Sequence, residues 1–207
     1  IDAMDADSLG LNSSSSFDLS GAALDTTAAG GITISDGDVL INGQGLAAFT
    51  STADGENLQT LLTDINDNIN GVTAGLVNTV EATSAGTGEL AAAATFSLTL
   101  HSIDGGGDTV FAIGSTTTST TSLDELATLI NDSTDNAISA SVNDNGRLVL
   151  TSATGGAIET SGLATIGGIA DDTYQSFLTL TSDDGSAITV QKGINGTDAD
   201  LLSLGFR

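Results

Sequence analysis

The stretch TTSLDELATLINDSTDNAISASVNDNGRLVLTSATGGAI, from Thr120 to Ile158, predicts a complete folding unit. It has the features of a helix, a strand, a tight turn and a second strand, in that order. Ser122 and Glu125 have the spacing of a capping box, in which each side chain accepts a hydrogen bond from the other residue's backbone N–H. The dipeptide Asn145-Gly146 supplies the positive φ angles of a hairpin turn. We therefore predict a capped helix followed by a β-hairpin.

Two segments carry apolar residues at the spacing of an amphipathic helix, which indicates one buried face on each. We expect the first helix to be capped by Asp54. The first stripe is Leu58, Leu61, Leu62, Ile65 and Ile69, and the second is Leu123, Leu126, Ala127 and Ile130. The simplest interpretation of both stripes is packing against a core.

The remaining pattern is mainly β. Three stretches alternate apolar and polar residues on both sides of Asp-Gly or Asn-Gly, and each predicts a hairpin. They are ITISDGDVLING (32–43), SVNDNGRLVLTS (141–152) and FLTLTSDDGSAITV (177–190). The predicted fold class is therefore α+β and β-rich.

The segment NLQTLLTDINDNINGVTAGLV (57–77) repeats the helix and first strand of the opening stretch, but no clear closing strand follows it. That strand occurs about a hundred residues later, where LTLTSDDGSAI (178–188) matches LVLTSATGGAI (148–158). We interpret the second hairpin-helix-hairpin module as inserted into the first, since insertion at a hairpin tip costs little. The alternative is two tandem modules followed by an unrelated hairpin.

Insertion predicts a discontinuous inner domain, residues 1–87 and 169–207, and an inserted outer domain, residues 88–168. It also predicts that residues 72–82 lie beside residues 177–190, although the inserted module separates them along the chain.

The charge is strongly one-sided. The chain has 27 acidic residues against three basic ones, and its net charge is −24. Such a surface repels phosphate backbones and anionic lipid, so we expect neither nucleic acid nor membrane among its partners. Cysteine is absent, which excludes disulfides and thiolate metal sites. No apolar run approaches the ~20 residues of a membrane span.

The sequence contains no convincing catalytic, cofactor or metal site, and we predict a protein without enzymatic activity. Its single histidine, His101, is expected on a strand, partly exposed and opposite the apolar face. Asp171-Asp172 and Asp183-Asp184 are interpreted as turn residues. The run Asp64-x-Asn66-x-Asn68 begins like a calcium loop, but it lacks the required glycine and the closing glutamate. Weak adventitious Ca²⁺ binding remains open.

Asn-x-Ser/Thr triplets begin at Asn12, Asn131 and Asn195, and their occurrence is consistent with chance in this composition. The runs NSSSS (12–16) and STTTSTTS (115–122) are possible hosts for glycans.

The ordered set ISDGDVLING, LLTDINDNINGVTA and LATLINDSTDNAISASVNDNGRLVLTSATG resembles the hook IN repeat of bacterial flagellins and flagellar hook-associated proteins. The flanks IDAMDADSLGL and DADLLSLGF resemble the stretches that leave and re-enter a flagellin's conserved core. The resemblance implies the variable outer domains of a flagellin, of the D2 and D3 type, as part of a longer protein. It implies an extracellular structural role in the flagellar filament, serving motility.

The partners implied by this resemblance are other flagellin subunits in a homopolymeric filament, with surface glycans as a further possibility. Two alternatives stay open at this point. One is a flagellar cap or hook-filament junction protein, which uses the same repeat. The other is a secreted acidic adhesin or glycan-binding module, although seven aromatic residues are few for sugar stacking.

Overall fold

Short antiparallel strands dominate the computed structural model, which describes residues 23–24, 31–51 and 55–206. Its helices are α1 (Leu58–Asn68), α2 (Leu123–Thr134), α3 (Ala164–Gly167) and α4 (Asp198–Ser203). Its strands are β1 (Thr33–Ile34), β2 (Val39–Ile41), β3 (Gln44–Gly45), β4 (Phe49–Thr50), β5 (Val72–Val77), β6 (Thr79–Glu81), β7 (Glu89–Leu90), β8 (Phe96–Leu100), β9 (Thr109–Ile113), β10 (Thr120–Thr121), β11 (Ile138–Val142), β12 (Leu148–Ser152), β13 (Ile158–Ser161), β14 (Thr173–Tyr174), β15 (Phe177–Ser182) and β16 (Val190–Lys192). This content confirms the predicted α+β, β-rich class.

The second repeat folds as its sequence predicts. Leu126 and Ile130 of α2 are fully buried, and the helix packs on β11. Strands β11 and β12 form an antiparallel hairpin in register from Val142 opposite Leu148 to Ile138 opposite Ser152. Gly146 adopts the positive φ of 70° that the turn requires.

The capping box of α2 is only half formed. Ser122 Oγ accepts a hydrogen bond from the Glu125 N–H at 3.2 Å, as predicted. The Glu125 carboxylate instead accepts from the backbone N–H and the hydroxyl of Thr121, at 2.7 and 2.9 Å. These bonds lower the pKa of the Glu125 carboxyl, the backbone bond most strongly. The stability they add is therefore present at neutral pH and is lost as the pH falls through the lowered pKa.

The first repeat has the predicted buried stripe but a different helix start. Leu58, Leu61 and Ile65 of α1 are buried, and α1 packs on β5. The N-cap is Asn57, in the left-handed conformation and without a side-chain capping bond. The predicted cap at Asp54 was therefore wrong, and Asp54 itself lies outside the described residues.

Strand β5 pairs with β15, about a hundred residues later in the chain. The antiparallel register runs from Val72 opposite Ser182 to Val77 opposite Phe177, so the pairing predicted for this part of the segment is confirmed. The prediction fails beyond Val77. Strand β6 instead pairs with β12, where Val80 lies opposite Leu150.

Two of the three predicted hairpins do not form. The strands beside Asp36-Gly37 join different partners: β1 pairs with β4, whereas β2 pairs with β3 and β16. The strands beside Asp184-Gly185 also separate, because β15 pairs with β5 and β16 with β2. The tight hairpin in this region joins β2 to β3 through Asn42-Gly43, whose φ angles are 51° and 75°. The turn residues thus predicted correctly where the chain changes direction, but contacts between distant residues determine which strands pair.

The other strands form an antiparallel sheet in the order β14-β13-β8-β9, a small β10-β7 pair and the three-stranded sheet β11-β12-β6. The buried apolar side chains fall into two separate clusters. The first surrounds α1, β5 and β15, and the second surrounds α2 and the strands from β6 to β13. Val80, Ala82 and Ile169 belong to the second cluster, although they lie outside residues 88–168.

We expect Ser122→Ala to destabilise the protein by about 1 kcal/mol, because the N–H of Glu125 loses its capping acceptor. Ser122→Asp should keep most of the stability, since aspartate is an equivalent N-cap and its charge is favourable there. Urea unfolding followed by circular dichroism measures both differences. Equal losses in the two variants would contradict the capping role.

Candidate functional site

His101 lies just after β8 and is 5% exposed, so the prediction of a partly exposed histidine was wrong. Its Nδ1 is 3.0 Å from Asp108 Oδ2, and its Nε2 is 3.8 Å from Glu159 Oε2. Neither ring nitrogen makes a hydrogen bond of good geometry. The strand pattern could not reveal this burial, because Asp108 and Glu159 come close to the ring only in three dimensions. No hydroxyl of the residues that the structure describes hydrogen-bonds either ring nitrogen.

The paired carboxylates named from the sequence accept hydrogen bonds from neighbouring parts of the fold, and Asp183 accepts one from the Thr73 hydroxyl of β5 at 2.7 Å. Asp171 accepts a hydrogen bond from the Gly162 N–H at 2.9 Å. Asp184 accepts from the Ser186 N–H at 2.8 Å, and this bond is the main cause of the lowered pKa of its carboxyl. Within the residues that the structure describes, no group of three or more His, Cys, Asp or Glu side chains is placed to hold a metal ion.

The run that begins like a calcium loop is helical. Asp64, Asn66 and Asn68 lie on α1, and each is used within the protein. Asp64 accepts hydrogen bonds from the Ala47 N–H at 2.9 Å and from Asn68 Nδ2 at 2.7 Å. A helical backbone cannot wrap these oxygens around one ion as a calcium loop does.

The main feature that sequence reasoning missed is an asparagine clasp in each repeat. Asn66, on α1, donates its side-chain N–H to the Ala74 carbonyl at 3.2 Å, and its side-chain oxygen accepts from the Ala74 N–H at 2.6 Å. Asn131, on α2, makes the same two bonds to Ala140, at 2.9 and 2.6 Å. In each repeat the amide thereby takes the place of a neighbouring strand.

The clasp lies on the outer side of an edge strand. Strand β5 is paired on one side with β15, and β11 on one side with β12. An uncovered edge leaves unpaired backbone groups that invite pairing with another chain. Each asparagine satisfies one residue's N–H and C=O on that edge and fixes the helix to the strand. The repeated helical segments each contain Ile-Asn, at Ile65-Asn66 and Ile130-Asn131, but a side-chain contact cannot be derived from this similarity alone.

The positions of the Asn-x-Ser/Thr triplets in the fold bear on whether their asparagines can carry glycans. The Asn131 side-chain nitrogen is already bonded to Ala140, so a glycan on it would break the clasp. Asn195 is exposed. Asn12 and the run NSSSS lie outside the described residues, as does the opening flank. The run STTTSTTS lies between β9 and the start of α2 and is mostly exposed.

A second feature is the junction where the chain passes between the two clusters. Asn78, between β5 and β6, is 1% exposed. The side-chain nitrogen of Asn78 donates to the backbone carbonyls of Gly156 and Tyr174, at 3.1 and 2.7 Å. The backbone carbonyl of Asn78 accepts a hydrogen bond from the Ser152 N–H at 3.0 Å. One buried residue therefore connects the outgoing chain, the returning chain and the second repeat.

Two further contacts connect the clusters. The Ile103 carbonyl accepts a hydrogen bond from the Gln59 N–H at 2.8 Å, in the first turn of α1. This backbone group supplies the acceptor that the N-cap Asn57 does not provide. Gly155, with φ of 75°, packs so closely that an added Cβ would lie 2.4 Å from the Leu76 carbonyl oxygen.

The two segments that connect the repeats run side by side. The Thr83 N–H donates to the Gly168 carbonyl at 3.2 Å, and the Gly88 N–H donates to the Ile166 carbonyl at 2.8 Å. An added Cβ at Gly168 would lie 2.1 Å from the Ser84 carbonyl oxygen. The chain thus leaves the first repeat and returns to it through two closely packed, adjacent segments.

Asn131→Ala should destabilise the protein by about 1–3 kcal/mol, because two backbone groups of Ala140 lose their partners at a partly buried position. Asn195→Ala, at an exposed position, should stay within about 0.5 kcal/mol of the parent. Chemical unfolding measures both. If Asn131→Ala lowers the free energy of unfolding no more than Asn195→Ala does, the clasp does not stabilise the protein.

Gly155→Ala should cost more than Gly146→Ala, although both glycines have positive φ angles, 75° and 70°. Gly146 has no heavy atom within 4 Å of an added Cβ, so its substitution costs only backbone strain of roughly 1–2 kcal/mol. At Gly155 the clash with Leu76 adds about 1–3 kcal/mol of overpacking. Thermal unfolding of the two variants tests the difference, and equal melting temperatures would refute it.

Comparison with known proteins gives one family match, and no curated protein matches the chain. The flagellin hook IN motif matches residues 97–154, which extend from β8 through α2 to the end of the β11–β12 hairpin. Among solved structures, the chain is similar to the flagellar cap protein FliD from Helicobacter pylori, with 17% identity over 85% of this chain and 74% of that chain. The TM-score of 0.35 is too low to support an argument about fold or function.

A helix long and apolar enough to cross a bilayer does not occur in the described part of the chain. The predicted resemblance is confirmed for the segment that the motif matches. Residues 97–154 are thus similar to the flagellin hook IN motif, and this match supports a flagellar structural protein.

Proposed function

We propose that this chain forms the solvent-facing outer domains of a flagellin subunit on the bacterial flagellar filament, in an extracellular structural role that serves motility. The observation that carries the proposal is the hook IN match over residues 97–154. The first repeat supports it, because α1 and β5 reproduce the helix, the strand and the asparagine clasp of the matched segment. The chain would then carry two copies of one flagellar motif.

The proposed organisation is an inner domain, residues 1–87 and 169–207, interrupted by an outer domain, residues 88–168. The pairing of β5 with β15 supports a discontinuous inner domain. The adjacent connecting segments support insertion at one place. Because Val80, Ala82 and Ile169 pack in the second cluster, we place the physical crossover nearer to Asn78 than to residue 88.

A structural role fits the chemistry of the described surface. The carboxylates near His101 pair with it or serve their own loops, and they do not converge on a reacting group. The buried Asn78 and the partly buried Asn131 hold parts of the fold together through their side-chain amides. We propose other flagellin subunits as partners, through regions outside this chain, and glycans on exposed Ser and Thr as a further possibility.

Antibodies against this chain, used in immunogold electron microscopy of flagellated cells that express the full protein, test the proposal. A filament subunit should be labelled along the whole filament, because each copy turns its outer domains to solvent. Labelling at the filament tip alone would indicate a cap protein, and labelling at its base a hook-filament junction protein. Labelling of the cell surface without the flagellum would contradict a flagellar role and favour an adhesin.

A further inference from the structure

Residues 101–108, the loop between β8 and β9, form a strap that extends from the second repeat onto the first. Strands β8 and β9 carry buried residues of the second cluster. Ile103 of the strap packs instead against the first cluster, and its carbonyl accepts the N–H of Gln59 at 2.8 Å. Gly105 comes so close to Asn57 that an added Cβ would lie 3.0 Å from the Asn57 side-chain oxygen. The second repeat therefore covers the start of α1.

Hydrogen bonds within the strap hold it in one conformation. The Ser102 hydroxyl donates to Asp104 Oδ1 at 2.6 Å, and the Gly106 N–H donates to the same oxygen at 2.9 Å. The Ser102 N–H donates to the Asp108 carboxylate at 3.1 Å, which ties the two ends of the strap together. Hydrogen bonds to an ionised carboxylate are shorter and stronger than neutral ones. The shape of the strap is thus set by its own side chains.

The strap is also anchored on the link between β12 and β13. The His101 N–H donates to the Ala157 carbonyl at 2.9 Å, and the buried His101 ring lies 3.0 Å from the Asp108 carboxylate. An added Cβ at Gly156 would lie 2.3 Å from the His101 carbonyl oxygen and 3.3 Å from Cγ2 of Ile103. Close packing on this side leaves the strap little room to move away from α1.

The two helices differ in what completes their first turn. The first N–H groups of a helix have no partner inside it. In α2, Ser122 accepts from the Glu125 N–H, so the second repeat supplies its own cap. In α1, Asn57 makes no side-chain capping bond, and the acceptor for the Gln59 N–H comes from the strap. The start of α1 is therefore completed by the other repeat.

We propose that the strap is a conformational latch between the repeats: when it is closed, the second repeat holds the start of α1 in place. Release of the strap opens the first turn of α1, because the Gln59 N–H and the Ile103 side chain lose their partners together. The same release leaves the start of α2 unchanged, since its cap lies within its own repeat. The inference concerns how the two repeats are coupled and holds whether or not the chain belongs to a flagellin.

Hydrogen exchange of backbone amides, followed by NMR on the full chain, tests the latch. The Gln59 amide reports whether the strap is closed, and the Glu125 amide reports on the cap of α2. Gln59 lies in the first turn of α1, where an amide normally lacks an intrahelical partner. We expect its exchange in the parent protein to be slowed all the same, because the Ile103 carbonyl accepts its N–H.

A substitution inside the strap tests whether the strap's own shape matters. Ser102→Ala removes the hydroxyl that donates to Asp104, and it should speed exchange of the Gln59 amide by a factor of about 2 to 10, the value of one hydrogen bond. Ser115→Ala is the matched control, because its hydroxyl is also bonded within a loop of the second repeat. It should leave exchange at Gln59 unchanged.

A second variant removes the contact with the first cluster. Ile103→Ala keeps the backbone carbonyl but withdraws the side chain from the first cluster, and the Gln59 amide should exchange about tenfold faster or more. Exchange of the Glu125 amide should stay as in the parent.

An unprotected Gln59 amide in the parent protein would overturn the proposal. So would unchanged exchange at Gln59 in both Ser102→Ala and Ile103→Ala, or an equal effect of Ser102→Ala and Ser115→Ala. Equal acceleration of Gln59 and Glu125 in Ile103→Ala would show general destabilisation and would also overturn it.

Discussion

The architecture depends on one constraint: each repeat must hold a short helix against an edge strand without another strand to cover that edge. The asparagine clasp meets this constraint. Asn66 and Asn131 present an amide whose donor and acceptor match the N–H and C=O of Ala74 and Ala140. An unsatisfied backbone group at a partly buried position costs about 1–3 kcal/mol, so two such groups per repeat are a large part of the stability of a small module.

The second constraint is the crossover between the repeats. Strand β5 needs β15 to complete its sheet, and the chain returns only after the second repeat. The outgoing and returning segments must therefore lie together, which Asn78 achieves by bonding to Gly156 and Tyr174. Glycines allow the closest approaches, because at Gly155 and Gly168 a Cβ would overlap a carbonyl oxygen of the facing segment. The two repeats are thereby joined by directed contacts as well as by chain connectivity.

The negative charge and the coverage of strand edges together affect where the protein can contact other molecules. A net charge of −24 discourages contact over most of the surface, and side-chain amides cover positions on two strand edges. Strand β9 carries no charged residue, and helix α2 packs against it. In a structural role with many copies held close together, contacts that are weak for a free chain become significant through high effective concentration.

The sequence by itself determined the local elements: the buried stripes of α1 and α2, the cap at Ser122, the β11–β12 hairpin and the repeat that pairs β5 with β15. These follow from periodicity, turn chemistry and internal similarity, which are properties of neighbouring residues. Only the tertiary structure decided which strands pair beyond Asp36-Gly37 and Asp184-Gly185, that His101 is buried, and that β6 joins the second repeat. Strand partners and burial depend on contacts between residues distant in the chain, and a local pattern allows several of them at similar cost.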